Sequence, residues 1–420
     1  MDLSMEQNKY AIFAPAVQPD YAKLAIPRAI KTDRLPQGVK PQDLNFLRRP
    51  NPLFTIKATL ASAATFDGQP PPTMLDRSVR ASDSVVIVDS GGFSLINNNG
   101  NLALTDETRL RFLRWQECWG DVGMTLDVPL KAIDVPQSGF TTFKECLNTT
   151  VQNLTFIVKH RDRSSPLRLL NVLQGRTPKE ADQWYDAVKS FPFEGWAVGG
   201  VLKLDLYGVI RRILIMLEEG RLTSSTAWLH FLGVESPRMA VVLTALKQAL
   251  QEILPTMEIT FDAATPFTSF ARGAGQAVLG LRLDAERFNF QRHTLQDLSS
   301  LDPSTPLPLH SPLADRLTVG MVRGNDTGWG RKLDGLGMVM VKHHNVYATV
   351  MGLLLANRHV LHTDVNHAIV PYDVMAVVKA VHSIFKETDR KGELERRKMT
   401  LRKLMPGEQL SSDDQNDVDR

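Results

Sequence analysis

Several points along the chain place an acid, an amide or paired glycines at the end of a short apolar run. They are Asp89 with Gly91 and Gly92, Asp127, Gln174 with Gly175, Gly199 with Gly200, Gly233, and Asp262. Brought to one mouth, they would supply three carboxylates, one amide and a set of backbone N–H groups. That inventory suits chemistry on a glycosidic bond at a purine. One carboxylate can attack the anomeric carbon and hold a covalent intermediate while another serves as acid and then base. A third can accept the N–H groups of a guanine edge, and an amide and glycine N–H groups can donate to its O6. Each residue alone has a structural reading: a strand-end aspartate caps the next helix, and Gly-Gly turns the chain. The combination is what points to a site.

The elements that must position these residues alternate. Val85–Val88 reads as a buried strand closing on Asp89-Ser90-Gly91-Gly92, since a short apolar run ended by glycine marks a strand at a tight turn. Residues 105–119 read as a helix capped by Thr105, 123–127 as a strand, 143–161 as a helix, and 167–174 as a strand. Thr177-Pro-Lys-Glu180 reads as a cap, a first-turn proline and a capping-box glutamate opening the next helix. Strands at 196–199, 226–232 and 257–262 follow, with helices at 205–219 and 237–254 between them. This order implies a parallel sheet with crossover helices. Its length favours a closed (β/α)8 barrel, which gathers strand ends on one face.

The expected division is an irregular basic arm over 1–80, a catalytic barrel over 81–385 with an irregular insertion around 264–335, and a basic helix with an acidic, disordered tail over 386–420. Prolines at 15, 19, 27, 36, 41, 50, 52 and 70–72 break up the arm, and Lys23, Arg28, Lys31, Arg34, Lys40, Arg48, Arg49 and Lys57 make it basic. The arm is either a solvated wrapping or a contact for phosphates. A net charge of +3 does not by itself announce a nucleic-acid binder. The two cysteines, Cys118 and Cys146, fit a reducing compartment. With no apolar leader and no apolar run of about 18 residues, the chain reads as cytoplasmic, without a membrane partner.

The motifs Asp89-Ser-Gly-Gly-Phe93, Leu126-Asp127-Val-Pro129, Val172-Leu-Gln174-Gly175, Ala197-Val-Gly199-Gly200, Phe231-Leu-Gly-Val-Glu-Ser-Pro237 and Phe261-Asp262 resemble, in order, those of the tRNA-guanine transglycosylase superfamily. These are (β/α)8 barrels that swap a guanine in a nucleic acid for a 7-deazaguanine. The resemblance implies that Asp262 is the nucleophile at C1′ and Asp89 the general acid/base. It implies that Asp127 grips the N1/N2 edge, and that Gln174 and the backbone of Gly199 and Gly200 address O6. Phe93 and Leu232 would sandwich the base, Leu232 standing where the family more often has methionine. The family's zinc needs three closely spaced cysteines and a histidine. Here no cysteine follows Cys146, although Lys342-His343-His344-Asn345 resembles the histidine-bearing segment. A zinc of that type is therefore not expected, nor any other cofactor, and His343 and His344 read as an ordinary pair on a domain surface. The missing cysteines and the added arm look like the DpdA-type DNA-guanine transglycosylases of phage and genomic-island DNA-modification systems. The implied partners are DNA, 7-cyano-7-deazaguanine and helper proteins of such a system. The same exchange on tRNA, a non-catalytic nucleic-acid-binding barrel subunit, and a barrel glycosidase or lyase acting on a free small molecule stand as alternatives.

Overall fold

Period-two alternation sends every second residue of each short strand to one interior. The computed structural model describes residues 1–22, 34–92, 104–269, 276–283, 287–295, 298, 301–323, 335–361 and 369–403. Phe93, the basic residues Lys23, Arg28 and Lys31, the Arg272-Gly273 stretch and the acidic tail lie outside them. The strands are β1 (Ile12–Pro15), β2 (Ala58–Ser62), β3 (Val85–Asp89), β4 (Val122–Met124), β5 (Arg168–Leu173), β6 (Trp196–Val198), β7 (Trp228–Phe231) and β8 (Glu258–Ala263). They form one all-parallel sheet in the order β1-β8-β7-β6-β5-β4-β3-β2. A single parallel bridge, Ala16 to Leu60, joins the two ends, with the Val17 N–H donating to the Leu60 carbonyl at 2.8 Å. The result is the expected (β/α)8 barrel.

Its interior is filled by Ile12, Ala14, Ala58, Leu60, Ile87, Val122, Met124, Leu170, Val172, Ala197 and Trp228. Helices Asp106–Trp119, Phe143–His160, Pro178–Val188, Leu206–Glu218 and Pro237–Gln251 return the chain after β3 to β7. Thr105 and Thr142 cap the first two through their side-chain oxygens, and Thr177 caps the third ahead of Pro178. Glu180 does not close a capping box with Thr177. Its carboxylate accepts instead from the Arg176 N–H at 2.9 Å and pairs with the Arg176 guanidinium.

The N-terminal boundary differs from the expectation. Residues 1–80 are not an arm outside the barrel, because they supply β1 and β2. Three of the candidate bases for phosphate contact are engaged within the fold: Arg48 pairs with Asp43, and Arg49 and Lys57 with Asp83. In the helix Arg390–Lys403, Lys391 pairs with Glu218, Arg396 and Arg397 with Glu393, and Lys398 with Glu395.

The stretch after β8 carries the short helix Thr265–Thr268 and a hairpin of β9 (Gln276–Arg282) and β10 (Asn289–Thr294). The helix Gly335–Leu361 then packs on that hairpin and on Pro237–Gln251. His343 and His344 lie on this helix and are fully buried, so the surface reading does not hold. They are structural fasteners. Tyr21 donates its one hydroxyl hydrogen to the Leu44 carbonyl at 2.8 Å, so His343 Nδ1, 2.7 Å away, donates to the Tyr21 oxygen. His344 Nε2 donates to the Val278 carbonyl at 2.7 Å, and Asn345 Oδ1 accepts from the Val278 N–H at 2.9 Å. Burial pushes the two imidazoles down to about 3 and about 4, so both stay neutral. Lys342 meets Asp20 on the same seam. Among the described residues no group of histidine, cysteine, aspartate and glutamate side chains could hold a metal ion, and no helix is long and apolar enough to cross a membrane.

Candidate active site

A parallel sheet delivers all its C-terminal strand ends to one face. Asp89 closes β3, Asp262 lies near the end of β8, and Asp127, Gln174, Gly199 and Leu232 follow β4, β5, β6 and β7 by one to three residues. All these expected residues therefore meet at one mouth, Phe93 excepted, which lies outside the described residues.

Two of the carboxyls have strongly altered acidity. Burial pushes Asp89 up from 3.8 to about 6, the neighbouring charge of Asp262 adds to this, and the Gly91 N–H, donating to Asp89 Oδ2 at 3.0 Å, holds it back. Burial pushes Asp127 up to about 7, offset by a hydrogen bond from Gln174 and reinforced by the charge of Asp89. Like charges held together in a dry site cannot all ionise at once. Asp89 thus feels the charge of Asp262, and Asp127 feels the charge of Asp89.

Asp127 and Gln174 build one wall. Gln174 Nε2 donates to Asp127 Oδ2 at 2.8 Å, while Gln174 Oε1 is buried without a partner among the described residues. A Cβ on Gly200 would collide with that Oε1, and one on Gly199 would come within 2.9 Å of Nε2 and 3.4 Å of the Leu232 side chain. Both glycines are needed for backbone to lie flat against the amide, and Gly200 also takes a left-handed φ of 56°. The Gly199 N–H already donates to the Leu173 carbonyl at 3.0 Å. Of the two backbone donors anticipated for a base, Gly200 is the one left over, since the first N–H of a helical turn has no intrahelical acceptor. On the opposite side a Cβ on Gly92 would strike the Asp127 carbonyl, so the turn after β3 packs directly on the β4 end.

Asp262 is held differently. Its Oδ1 accepts the Gly233 N–H at 3.0 Å and faces His230 Nε2 at 3.1 Å. Lys203 Nζ donates to the Gly233 carbonyl at 3.2 Å and steadies the turn that carries this donor. His230 lies in the strand expected over 226–232 but is not among the expected site residues. The signal was present: Trp228, His230 and Leu232 alternate, so His230 points into the barrel with Leu232, one layer below the mouth.

No protein-family model and no curated protein matches this chain. What the arrangement can do chemically follows from its parts. It holds an acid poised to give and take a proton near neutrality, a second carboxylate oriented by two donors, and the Gln174 amide set close against glycine backbone and Leu232.

Proposed function

We propose that this chain exchanges a guanine in DNA for a 7-deazaguanine, with 7-cyano-7-deazaguanine as the incoming base, through a covalent aspartyl-glycosyl intermediate. The observation that carries the proposal is the coupled carboxyl set at the barrel mouth. In the reaction, Asp262 attacks C1′ of the target nucleotide and the C1′–N bond breaks. The departing guanine takes its proton from the Asp89 carboxyl, whose lowered acidity keeps a proton available near pH 6. The incoming base then attacks C1′, loses its N9 proton to Asp89, and releases Asp262. Two inversions give net retention. Asp127 accepts the N1–H and N2–H donors of either base, with Leu232 covering one face. Gln174 holds Asp127 in place and keeps Oε1 for a further donor, and the Gly200 N–H serves O6. The target nucleotide has to leave the duplex, which costs a few kcal/mol.

DNA as the acceptor is supported by the resemblance of the motifs and by the lack of the zinc-binding cysteines. The decisive experiment incubates the chain with labelled 7-cyano-7-deazaguanine and either duplex DNA or tRNA, followed by digestion to nucleosides. Label in DNA is the expected result. Label in tRNA alone transfers the activity to RNA, and label in neither, with a gel shift on DNA retained, leaves a binding subunit.

A further inference from the structure

Beneath Asp262 a buried polar chain runs through the barrel. Trp228 Nε1 lies 3.1 Å from Thr260 Oγ1, Thr260 Oγ1 lies 2.8 Å from His230 Nδ1, and His230 Nε2 lies 3.1 Å from Asp262 Oδ1. Trp228, Thr260 and His230 are 5%, 1% and 0% exposed, so no bulk water completes their hydrogen bonds. The direction of the chain is fixed at its far end. An indole N–H only donates, so the Thr260 oxygen accepts from Trp228. The single Thr260 hydroxyl hydrogen has no other acceptor among the described residues, so it points to His230 Nδ1. A neutral imidazole that accepts at Nδ1 carries its proton at Nε2, and that proton points at Asp262 Oδ1. Oδ1 therefore takes two donors, His230 Nε2–H and Gly233 N–H, while Oδ2 accepts none among the described residues.

We infer that His230 is a positioning residue for the nucleophile: with Gly233 it clamps Oδ1 of Asp262 and leaves Oδ2 as the atom that bonds to C1′. The inference rests on the base-exchange reading. The Oδ2 lone pair forms the C1′–O bond as the C1′–N bond breaks, and the electron pair leaves with the base, which is protonated by Asp89. In the second half the C1′–Oδ2 bond breaks and its electrons return to the carboxylate. His230 neither gives nor takes a proton in either half. A chain that ends in a donor-only indole has no onward proton path, so it acts as a fixed row of dipoles aimed at the carboxylate.

The test compares His230→Leu, which removes the donor, with His230→Gln, which restores an N–H. Single-turnover exchange in His230→Leu is expected to fall on the order of 100-fold, the cost of a misaligned attacking atom. KM for the free base should stay within about twofold, because the base slot is not touched. His230→Gln should recover most of the rate. Wild-type exchange in His230→Leu overturns the inference. So does an equal loss in both variants that follows their unfolding midpoints, since that marks a core filler. A second measurement does not depend on exchange. Long-range ¹H–¹⁵N correlation spectra of the wild-type chain, with His230 assigned by its loss in His230→Gln, should show a neutral ring protonated at Nε2. A ring protonated at Nδ1 overturns the clamp. If wild-type protein exchanges no base on either nucleic acid, the base-exchange reading falls, and the tautomer still decides whether His230 orients Asp262.

Discussion

At the N-terminal ends of the barrel strands, acids meet bases. Asp121, just before β4, takes Arg80 at 2.8 Å and the Val86 N–H at 2.8 Å. Glu194, before β6, takes Arg161 at 2.9 Å, and Glu258, opening β8, takes Lys247 at 2.9 Å. At the C-terminal ends Asp89, Asp127 and Asp262 have no lysine or arginine partner among the described residues. Their partners are the Gly91 and Gly233 N–H groups, the Gln174 amide and His230. One residue type is thus used in two ways. At the bottom a carboxylate is paired with a base and serves to hold strands. At the top it has no charged base beside it, and in Asp89 and Asp127 burial and neighbouring carboxylates lower the acidity, which is a cost in stability that a proton can remove. Such groups cluster where protons must move.

This asymmetry can be broken from either end. The largest effect is expected for Asp262→Asn: exchange should fall by roughly 10⁴-fold or more, as for loss of other enzymic nucleophiles, and no covalent glycosyl-enzyme should be trapped on denaturing gels. A surviving adduct would remove the top face from the chemistry. Next, Arg80→Leu leaves Asp121 with Arg77 and the Val86 N–H alone and should cost about 2 kcal/mol in urea unfolding, with exchange per folded molecule unchanged.

Asp127→Asn tests the top face through stability, and its sign is opposite. The folded-state value of about 7 lies above the ordinary 3.8. Below pH 3.8 the carboxyl is protonated both folded and unfolded, and there is no penalty. The penalty grows as pH rises from 3.8 to about 7 and is complete above that. Each unit is worth about 1.4 kcal/mol, and relaxation around a buried site reduces the sum, so Asp127→Asn should stabilise the fold by about 2 kcal/mol at pH 8. The gain should vanish near pH 4, while base binding is lost at both. Equal unfolding midpoints for wild type and variant at pH 8 would erase the difference between the two ends. The smallest effect is expected for Gly200→Ala, where a left-handed φ and contact with Gln174 should cost about 1 kcal/mol and weaken base affinity severalfold by isothermal titration.

The parts of the fold legible in the sequence were those where strand and acid coincide. The runs that became β3 to β8 end in acids, amides or glycines, so one pattern revealed both element and site. β1 and β2 gave no such signal. Ile12–Pro15 ends on a proline within a proline-rich stretch, and Ala58–Ser62 holds small residues of weak strand preference. Their inward positions, Ala14 and Ala58 with Leu60, are chosen for the narrow barrel interior rather than for propensity. The Lys342–Asn345 segment was misjudged because polar side chains were taken for surface. Their partners, Tyr21, Leu44 and Val278, are distant in sequence. His230 was missed for the same reason, since its meaning comes from Thr260 and Asp262 on the next strand.

The order of the sheet has a consequence for how the molecule comes into being. β2 to β8 can pair one after another as the chain leaves the ribosome, each new strand joining the edge of the last. β1 is made first and finds its main partner last: Ile12 to Pro15 align with Thr260 to Ala263, so that edge stays unpaired until almost the whole sheet exists. Ring closure is the strand pairing of highest sequence separation among the described residues, which makes it slow to form, and it seats Ala14 beside Asp262. A nascent chain stalled before β8 therefore has an open, aggregation-prone edge and lacks the proposed nucleophile.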